Sequence, residues 1–410
     1  MSKAKKKGFW FYFGRIMACI GIALLLPILY VYLSVPTYSF KEPKPFSGEY
    51  LYNPYQDMNP DQWRKYHFHC HSRKYFGMTN GRKSKETTID SVYQALGYDH
   101  YGISDYMSIN NHGSERVDYI PAYEHGYGLF HKTHQICIGA ESVYWPDFPF
   151  MQNLNMKQHM INKLGERCRF VMPAHASFTK GYKVNDMALL SNYRLLEILN
   201  PHGNAIEHWD MALSNGHRVY ALGDDDTHNI TQAKEVCHNM TMINTQNLDA
   251  ESVYETLDKG LCYAVEFDNF FHFPMSLSEK VEQAKALPHL TRAELVGDTL
   301  FIETSAHKMQ EVQFIGQGGK VLKIEENVAT AWYVIQPEDH YVRTHINVNG
   351  LQHFYLNPIT RHSTPEPVDQ RLDVINHAQT YLYWFVYVVA FAALTWYLFK
   401  KAKEKKASEE

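Results

Sequence analysis

Two long apolar runs stand near the ends of the chain, at residues 16–35 and 381–399. Each has about the twenty residues that an α-helix needs to cross the hydrocarbon core of a bilayer. Aromatic residues flank both runs, as is usual at membrane interfaces. The first run lacks the small-residue cleavage pattern of a signal peptide, although a cleaved leader is the alternative interpretation. The pattern predicts two transmembrane helices.

Lysines stand at the outer end of each apolar run, at positions 3 and 5–7 before the first run and at 400, 401, 403, 405 and 406 after the second. Because positive charge is retained on the cytoplasmic side, both termini are predicted to be cytoplasmic. We therefore expect an integral membrane protein. Residues 1–35 would contain a short cytoplasmic N-terminal segment and the first transmembrane helix, residues 379–399 would form the second transmembrane helix, and residues 400–410 would form a cytoplasmic tail. The part between the helices is predicted to be extracytoplasmic, which means periplasmic in a Gram-negative bacterium.

Residues 36–65 contain many Pro, Tyr and Asn and are predicted to be an extended lead-in. In the segment 66–285, short β-rich runs alternate with helical stretches. The β-rich runs are residues 101–104, 135–138, 170–172, 195–199 and 219–222, and the helical stretches are 88–96, 151–164 and 250–257. This alternation predicts an α/β domain with a mostly parallel sheet, and its length suits a barrel.

The segment 290–362 changes character and contains successive short β-rich runs separated by Gly and Asn turn residues. These runs are residues 299–305, 310–315, 321–325, 331–335, 341–348 and 352–356. The pattern predicts a small C-terminal β-sandwich.

Polar residues of the kinds that bind metal ions follow several predicted strands. His69 and His71 are two residues apart, so in an extended strand they point to one side. The other such residues are Asp105, Glu141, His175, Asp226 and His228. Each alone is explained as well by a helix cap, a polar loop or a packed histidine. Because the carboxyl ends of parallel strands meet at one edge, their agreement predicts a metal site there.

The ordered motifs resemble those of the PHP (polymerase and histidinol phosphatase) family. His-Phe-His-Cys-His-Ser at 67–72 is similar to the first motif, and the segment 97–106, which ends Ser-Asp-Tyr, is similar to the second. Residues 139–141, 173–175 and 226–228 resemble the later motifs in the expected order. The resemblance implies a distorted (β/α)7 barrel that hydrolyses phosphate esters with the help of divalent metal ions.

The resemblance also implies roles for individual residues. One ion would be bound by His69, His71, Glu141 and Asp226, with Glu141 bridging to a second ion at His175, and with Asp105 and His228 completing the cluster. Glu141, Asp226 and His228 would be the catalytic residues. Two or three ions of zinc, manganese or iron suit this mixture of nitrogen and oxygen ligands. Such ions acidify water and neutralise phosphoryl oxygens.

Two positions depart from the family pattern. Tyr106 stands where the family usually has a metal-binding His, and Asn80 stands near the usual Asp. These departures favour a centre of two ions over one of three. Substrate-binding candidates follow the ligand motifs closely: Arg73, Lys74 and Lys180 are predicted to bind phosphate or, alternatively, to be solvated loop charges. Metal-bound water or a nearby histidine such as His202 is predicted to protonate the leaving group.

Composition limits the remaining classes. The 410 residues carry a net charge of −4, which lacks the basic balance of a dedicated nucleic-acid binder, so no nucleic-acid partner is indicated. None of the six cysteines forms a Cys-x-x-Cys pair, although Cys237 and Cys262 could be bridged in an oxidising compartment.

The leading hypothesis is therefore a membrane-anchored, metal-dependent phosphoesterase acting on a phosphorylated small molecule, a nucleotide or a lipid headgroup. One alternative is a catalytically silent, metal-bound scaffold whose β-sandwich binds a glycan or a protein. The other is a metal-dependent amidohydrolase, although such enzymes usually carry a bridging lysine.

Overall fold

The fold is mixed α/β, and the computed structural model describes residues 8–77, 81–267 and 275–409. The described part contains seven α-helices: α1 Phe9–Ser34, α2 Glu86–Ala95, α3 Leu154–Gly165, α4 Ile206–Ser214, α5 Ala250–Lys259, α6 Leu277–Lys285 and α7 His377–Glu409. The pattern of the sequence predicts five of these helices, whereas α4 and α6 were not predicted.

In the described part, groups of one to three strands are separated by α-helices up to α6, and after α6 the strands follow one another without an intervening α-helix up to α7. The strands before α6 are β1 Tyr38–Phe40, β2 Tyr50–Tyr52, β3 Trp63–His67, β4 His100–Tyr101, β5 Ala122–His125, β6 Gln135–Ala140, β7 Cys168–Pro173, β8 Leu195–Leu199, β9 Tyr220–Gly223, β10 Asn239–Asn244 and β11 Cys262–Glu266. The later strands are β12 Leu290–Val296, β13 Thr299–Thr304, β14 Met309–Gly316, β15 Lys320–Val328, β16 Thr330–Val334, β17 Tyr341–Asn347, β18 His353–His362 and β19 Asp373–Ile375.

Helices α1 and α7 are long and apolar enough to cross a membrane, judged by length and composition. Their 26 and 33 residues correspond to about 39 and 50 Å of helix. In each helix, no residue of the apolar stretch that is long enough to cross a membrane is buried against the rest of the chain. The N-terminal lysines on which the predicted orientation partly depends lie in residues 1–7, outside the described residues.

A two-stranded ladder joins the domain-side ends of these two helices. Strands β1 and β19 pair antiparallel, directly after α1 and directly before α7. The Asn376 N–H donates to the Thr37 carbonyl at 2.8 Å, and the Thr37 N–H donates to Thr380 Oγ1 at 2.9 Å. The chain therefore enters and leaves the folded domain at one place.

Most strands around the predicted site are antiparallel, so the prediction of a mostly parallel sheet is wrong. Strands β5, β6 and β7 form an antiparallel sheet, whereas β3–β4 and β8–β9 are the parallel pairs of the described residues. Isolated bridges link Cys70 to Thr227 and Tyr106 to Glu124. The ladders therefore form separate sheets, and a closed (β/α)7 barrel is not shown.

The six C-terminal strands predicted from sequence are present, but their main sheet is not separate from the rest. Strand β18 pairs with β11, which continues the sheet through β10 to β3 and β4. Strands β12, β13 and β16 form a second small sheet, and both sheets contribute to one hydrophobic cluster. Non-local pairing therefore joins two segments that appear distinct in sequence.

All six cysteines are free, so Cys237 and Cys262 do not form a disulfide. Both thiols are buried, and burial raises the pKa of each to about 12. Their role is packing.

A buried ion pair connects α4 to β17. Arg343 donates from Nε and Nη2 to the two carboxylate oxygens of Asp210, each at 2.7 Å, and the Tyr341 hydroxyl donates to the same carboxylate at 3.1 Å. The arginine side chain is only 3% exposed. This geometry links the C-terminal strands to the helical layer.

We expect Asp210→Ala to lower the free energy of unfolding by about 3–5 kcal/mol, because it leaves the buried Arg343 charge unpaired. The measurement is urea unfolding of the full chain in detergent. The matched control is Glu282→Ala, which removes a pair with Lys285 whose side chains are 75% and 61% exposed. The control should change stability by no more than about 1 kcal/mol. Equal effects of the two variants would contradict a structural role for the buried pair.

Candidate metal centre

Four ligand-type atoms converge in the buried interior of the site. Nε2 of His69 lies 3.1 Å from Asp226 Oδ1 and 3.4 Å from Glu124 Oε2. Nε2 of His71 lies 3.3 Å and 3.1 Å from the same two oxygens. All four atoms are buried, and none has a hydrogen-bond partner. Two imidazole nitrogens and two carboxylate oxygens therefore face one small space.

The spacing of these atoms suits divalent metal. The four nitrogen–oxygen distances, 3.1 to 3.4 Å, are close to the separation of about 3.3 Å expected between two ligands that each lie about 2.05 Å from one ion. His69, His71 and Glu124 form one group whose ligand atoms all lie within 4.8 Å of one another, and Asp226 joins each of the two histidines in a further group. Buried polar atoms without partners carry a large free-energy cost, which a shared cation would remove. These residues therefore fit a metal ion.

The other oxygen of Glu124 faces a second group of ligand-type residues. Glu124 Oε1 lies 3.2 Å from His175 Nε2 and accepts a hydrogen bond from His134 Nδ1 at 2.5 Å. Glu124, His134 and His175 form one group with metal-ligand spacing, and His69, His175 and Asp226 form another. The Glu124 carboxylate thus spans two adjacent positions, as a bridging ligand does.

Residues around the centre hold the histidines in place. Glu197 accepts a hydrogen bond from His69 Nδ1 at 2.9 Å, which leaves Nε2 of that ring free to face the centre. Its other oxygen accepts the His175 N–H at 2.5 Å. His175 and Asp226 have φ values of 31° and 48°, in the left-handed region that side chains other than glycine rarely adopt. Such backbone strain is typical of functional sites.

The electrostatics keep the carboxylates charged. Burial opposes ionisation of Glu124, yet His134 and His69 hold its pKa well below the usual value. Burial likewise opposes ionisation of Asp226, and His69 and His71 hold its pKa well below the usual value. Burial would lower the pKa of His71, but the adjacent carboxylates of Asp226 and Glu124 raise it to about 9. A bound cation would take the place of the proton.

Tyr106 lies against the centre without acting as a charged ligand. Its ring stacks on His71 at 4.4 Å, and its hydroxyl lies 3.5 Å from His228 Nε2. Burial, together with Glu124 and Asp226, raises the pKa of this phenol far above its usual value, so it stays neutral. His228 belongs to a third group with His71 and Asp226, and its Nδ1 donates to the Asp226 carbonyl at 2.8 Å.

The prediction that Glu141 bridges two ions needs correction. Glu141 follows the end of β6 and is exposed. Because β6 runs antiparallel to β7, its beginning at Gln135 lies near His175, and residue 141 is roughly 20 Å further along the extended strand. Glu124, in β5, instead belongs to both the group with His69 and His71 and the group with His134 and His175. The role of catalytic residue implied for Glu141 falls with its ligand role.

Asp105 does not join the ligand groups of the described residues either. Its Oδ1 accepts the Ser72 N–H at 2.8 Å, and its Oδ2 accepts the Ser72 hydroxyl at 2.7 Å and Asn110 Nδ2 at 2.8 Å. Both oxygens are therefore occupied in fixing the turn that follows His71. Asp105 is a positioning residue.

Glu124 and His134 are the two residues of the centre that sequence reasoning missed. Both belong to the hairpin of β5 and β6, and the four-residue strand β5 was not predicted. The available signal was a Glu-His pair between Pro121 and Gly126, followed by His134 just before a predicted strand. A hairpin interpretation would have put Glu124 and His134 at one edge.

The predicted substrate-binding residues occupy different surroundings. His202 stacks on Phe178, lies 3.5 Å from Asp226 Oδ2 and has a 43% exposed side chain, which places it at the open side of the centre. Arg73 and Lys180 are exposed and Lys74 is half-buried, on the loops that follow His71 and His175. Asn80 lies outside the described residues.

No protein-family model matches the sequence. No curated protein matches it either. Among solved structures, the chain is similar to a two-domain protein of Bacteroides vulgatus ATCC 8482 that contains a predicted PHP-like metal-dependent phosphoesterase. That similarity covers 82% of this chain and 100% of the other, at 11% identity and a TM-score of 0.39.

We expect His69→Ala and Glu124→Ala to reduce bound divalent metal, because each removes a ligand atom from the buried group. The loss of metal affinity should be at least about 100-fold. Elemental analysis of the purified full chain measures metal per protein. Glu141→Ala is the matched control and should keep the metal of the unmodified chain. Full metal content in Glu124→Ala would contradict the bridging role of that residue.

Proposed function

We propose that the protein is a membrane-anchored phosphoesterase that uses two divalent metal ions to hydrolyse a phosphate ester. The observation that carries the proposal is the Glu124 carboxylate, whose two oxygens face two adjacent groups of buried histidines and acids. Paired ions that share a carboxylate suit the in-line displacement of a phosphate ester, since both attacking and leaving oxygens need stabilisation. The order of the motifs, which resembles the PHP family, supports the same reaction.

The ions, when bound, would acidify water and neutralise charge on the phosphoryl oxygens. The chain's own residues do the rest. Glu197 fixes the ring of His69 through Nδ1. His202, exposed beside Asp226, is placed to give a proton to the leaving oxygen. The cationic side chains of Arg73, Lys74 and Lys180 would bind the phosphate oxygens that face away from the ions.

Two ions rather than three are favoured because of Tyr106. In the family pattern this position holds a histidine ligand, whereas here a neutral phenol stacks on His71. The identity of the metal, among zinc, manganese and iron, is left open by a set of nitrogen and oxygen ligands. We propose that the strands around the centre correspond to a distorted PHP barrel, with the bridges at Cys70 and Tyr106 in place of regular ladders.

An amidohydrolase is disfavoured because the bridging position is held by the Glu124 carboxylate instead of a lysine. A silent scaffold is the remaining alternative, and Tyr106 is the feature that favours it. Turnover distinguishes the two functions. If the chain binds metal but hydrolyses no phosphate ester, the phosphoesterase hypothesis is contradicted.

We expect the purified full chain, loaded with metal, to hydrolyse model phosphate esters, and we expect His202→Ala to discriminate between leaving groups. Glycerol phosphate needs its alkoxide protonated, so its turnover should fall about 100-fold. p-Nitrophenyl phosphate releases p-nitrophenolate, a stable anion that needs no proton, so its turnover should fall only a few-fold. His69→Ala should abolish both activities. Equal losses of the two esters in His202→Ala, or a loss of bound metal, would exclude the proton-donor role.

We also propose that α1 and α7 both cross the membrane and that the domain between them is extracytoplasmic. The ladder of β1 and β19 supports this arrangement, because the two helices leave the domain side by side. Lysines at 400–406 support a cytoplasmic C-terminus.

A reporter fused after residue 410 should accordingly be active when it is an enzyme that works in the cytoplasm, and inactive when it requires export. A reporter inserted at Gly350, in the exposed turn between β17 and β18, should show the reverse. The same activity pattern at both positions would contradict the topology.

A further inference from the structure

Two loops beside the metal centre expose large apolar side chains. The loop between β5 and β6 carries Leu129 and Phe130, which are 61% and 68% exposed. The loop between β6 and α3 carries Trp145 and Met151, which are 59% and 69% exposed. With Tyr127 and Phe150 these residues form a surface that we call the apolar loop patch. Clustered exposure of this kind marks an interaction surface.

The two loops support each other. The Phe130 and Phe150 rings stack at 6.1 Å, the Leu129 N–H donates to the Pro149 carbonyl at 2.9 Å, and the Tyr127 hydroxyl donates to the Trp145 carbonyl at 3.2 Å. Backbone groups of the two loops are therefore hydrogen-bonded between the loops, while the apolar side chains remain exposed. The patch is a formed surface whose apolar groups have no cover within the described residues.

The patch continues directly from the domain-side end of α1. Tyr32 lies in the last turn of that helix, and its ring packs edge-on against Phe148 at 5.1 Å. The Phe150 N–H donates to the Tyr32 hydroxyl at 3.0 Å. Because tyrosine and tryptophan favour the interface between lipid and water, the end of α1 fixes where that interface lies. The apolar loop patch is at the same level.

The patch is also mechanically joined to the metal centre. Glu124 and His134 form the neck of the hairpin whose tip carries Leu129 and Phe130. Gly126, at φ +138°, packs so closely that a Cβ there would lie 2.4 Å from Cδ2 of His134. The tip is therefore held at a fixed position relative to two residues of the centre.

A loop with a basic residue contacts the hairpin next to its apolar tip. The His131 ring bonds to the Thr179 carbonyl at 2.9 Å, and the Lys132 N–H donates to Thr179 Oγ1 at 2.8 Å. Lys180 follows in the same loop and is exposed. Apolar side chains beside lysines match the layering of acyl chains beneath anionic head groups.

We propose that the apolar loop patch sits in the lipid–water interface and that the substrate is a phosphate ester in the head group of a membrane lipid. The substrate class rests on the phosphoesterase activity proposed above, and the position of the patch in the interface rests on the membrane crossing of α1 proposed there. In this arrangement the hairpin holds the metal centre near the lipid phosphates, so the lipid can be hydrolysed while it remains in the bilayer.

The seat of the patch is tested by Phe130→Cys labelled with an environment-sensitive fluorophore, in a Cys19→Ser background of the full chain. Cys19 is replaced because it is exposed, while the other cysteines are buried or half-buried. In phosphatidylcholine–phosphatidylglycerol nanodiscs, lipids with a nitroxide near the head group should quench this label strongly. The matched control is Val117→Cys, which is 77% exposed and outside the patch, and its label should stay in water.

Equal quenching of the two labels would overturn the membrane seat. A blue shift of the label at 130 without lipid quenching would also overturn it and would indicate that a protein surface, such as a second copy of the chain, covers the patch. Quenching and emission wavelength do not depend on catalysis, so they test the position of the patch even if the chain hydrolyses no ester.

The substrate class is tested by the ratio of two turnover numbers, phosphatidic acid in nanodiscs over p-nitrophenyl phosphate in solution. Leu129→Ser combined with Phe130→Ser should lower this ratio by about tenfold, because two side chains no longer hold the hairpin in the interface. Val117→Ser should not change it. Hydrolysis of the soluble ester but not of phosphatidic acid or phosphatidylglycerol would overturn the lipid substrate. Absence of all turnover would overturn the proposed function itself.

Discussion

In the buried interior, two carboxylate oxygens each lie within 3.4 Å of two imidazole nitrogens. Strands from several sheets of the domain hold these four groups in place. The carboxylates of Glu124 and Asp226 each direct an oxygen toward the ring nitrogens of His69 and His71 without forming hydrogen bonds. Burying such groups is unfavourable unless a cation is shared among them. The free energy that folds the surrounding sheets therefore also maintains a space that only a cation satisfies well.

Different sheets carry different residues of the metal centre. His69 and His71 follow β3, which lies between β10 and β4 in a sheet that extends through β11 to the C-terminal strands. These two histidines are thus attached to the most extensively paired part of the described chain. Glu124 and His134 are instead attached to a short hairpin that belongs to another sheet and carries an apolar tip. The centre joins a broad, rigid sheet to a small element at the surface.

Sequence reasoning identified the parts of the centre that depend on local spacing. The His69-x-His71 pair, His175 and the Asp226-Thr-His228 segment all lie together. The two histidines of the pair were identified from their spacing, whereas His175 and Asp226 each follow a strand that could be recognised from its own residues. Glu141 was mistaken for Glu124 because strand direction is not a local property. A run such as residues 135–140 looks the same whether its neighbours are parallel or antiparallel, and reversing it exchanges the two ends.

The same limit explains the C-terminal strands. Each was visible from its alternation and from the turn residues beside it, yet their continuity with the earlier sheet depends on the pairing of β18 with β11, about ninety residues apart in sequence. Loop closure over such distances is decided by the packing of the whole domain, which no short window of sequence contains. Short elements such as β5, with four residues, are equally hard to recognise, since tertiary contacts rather than propensity determine them.

The ladder between β1 and β19 has a consequence for how such a chain could arise and be rebuilt. Ser39 and Val374 are register partners, so their Cα atoms are about 5 Å apart. The whole domain between them is topologically an insertion into a pair of helices, and a tight turn could close the gap in its place. The helical pair therefore meets the domain at this ladder and at the contacts of Tyr32 with Phe148 and Phe150, and an exchange of either part would have to preserve these two junctions.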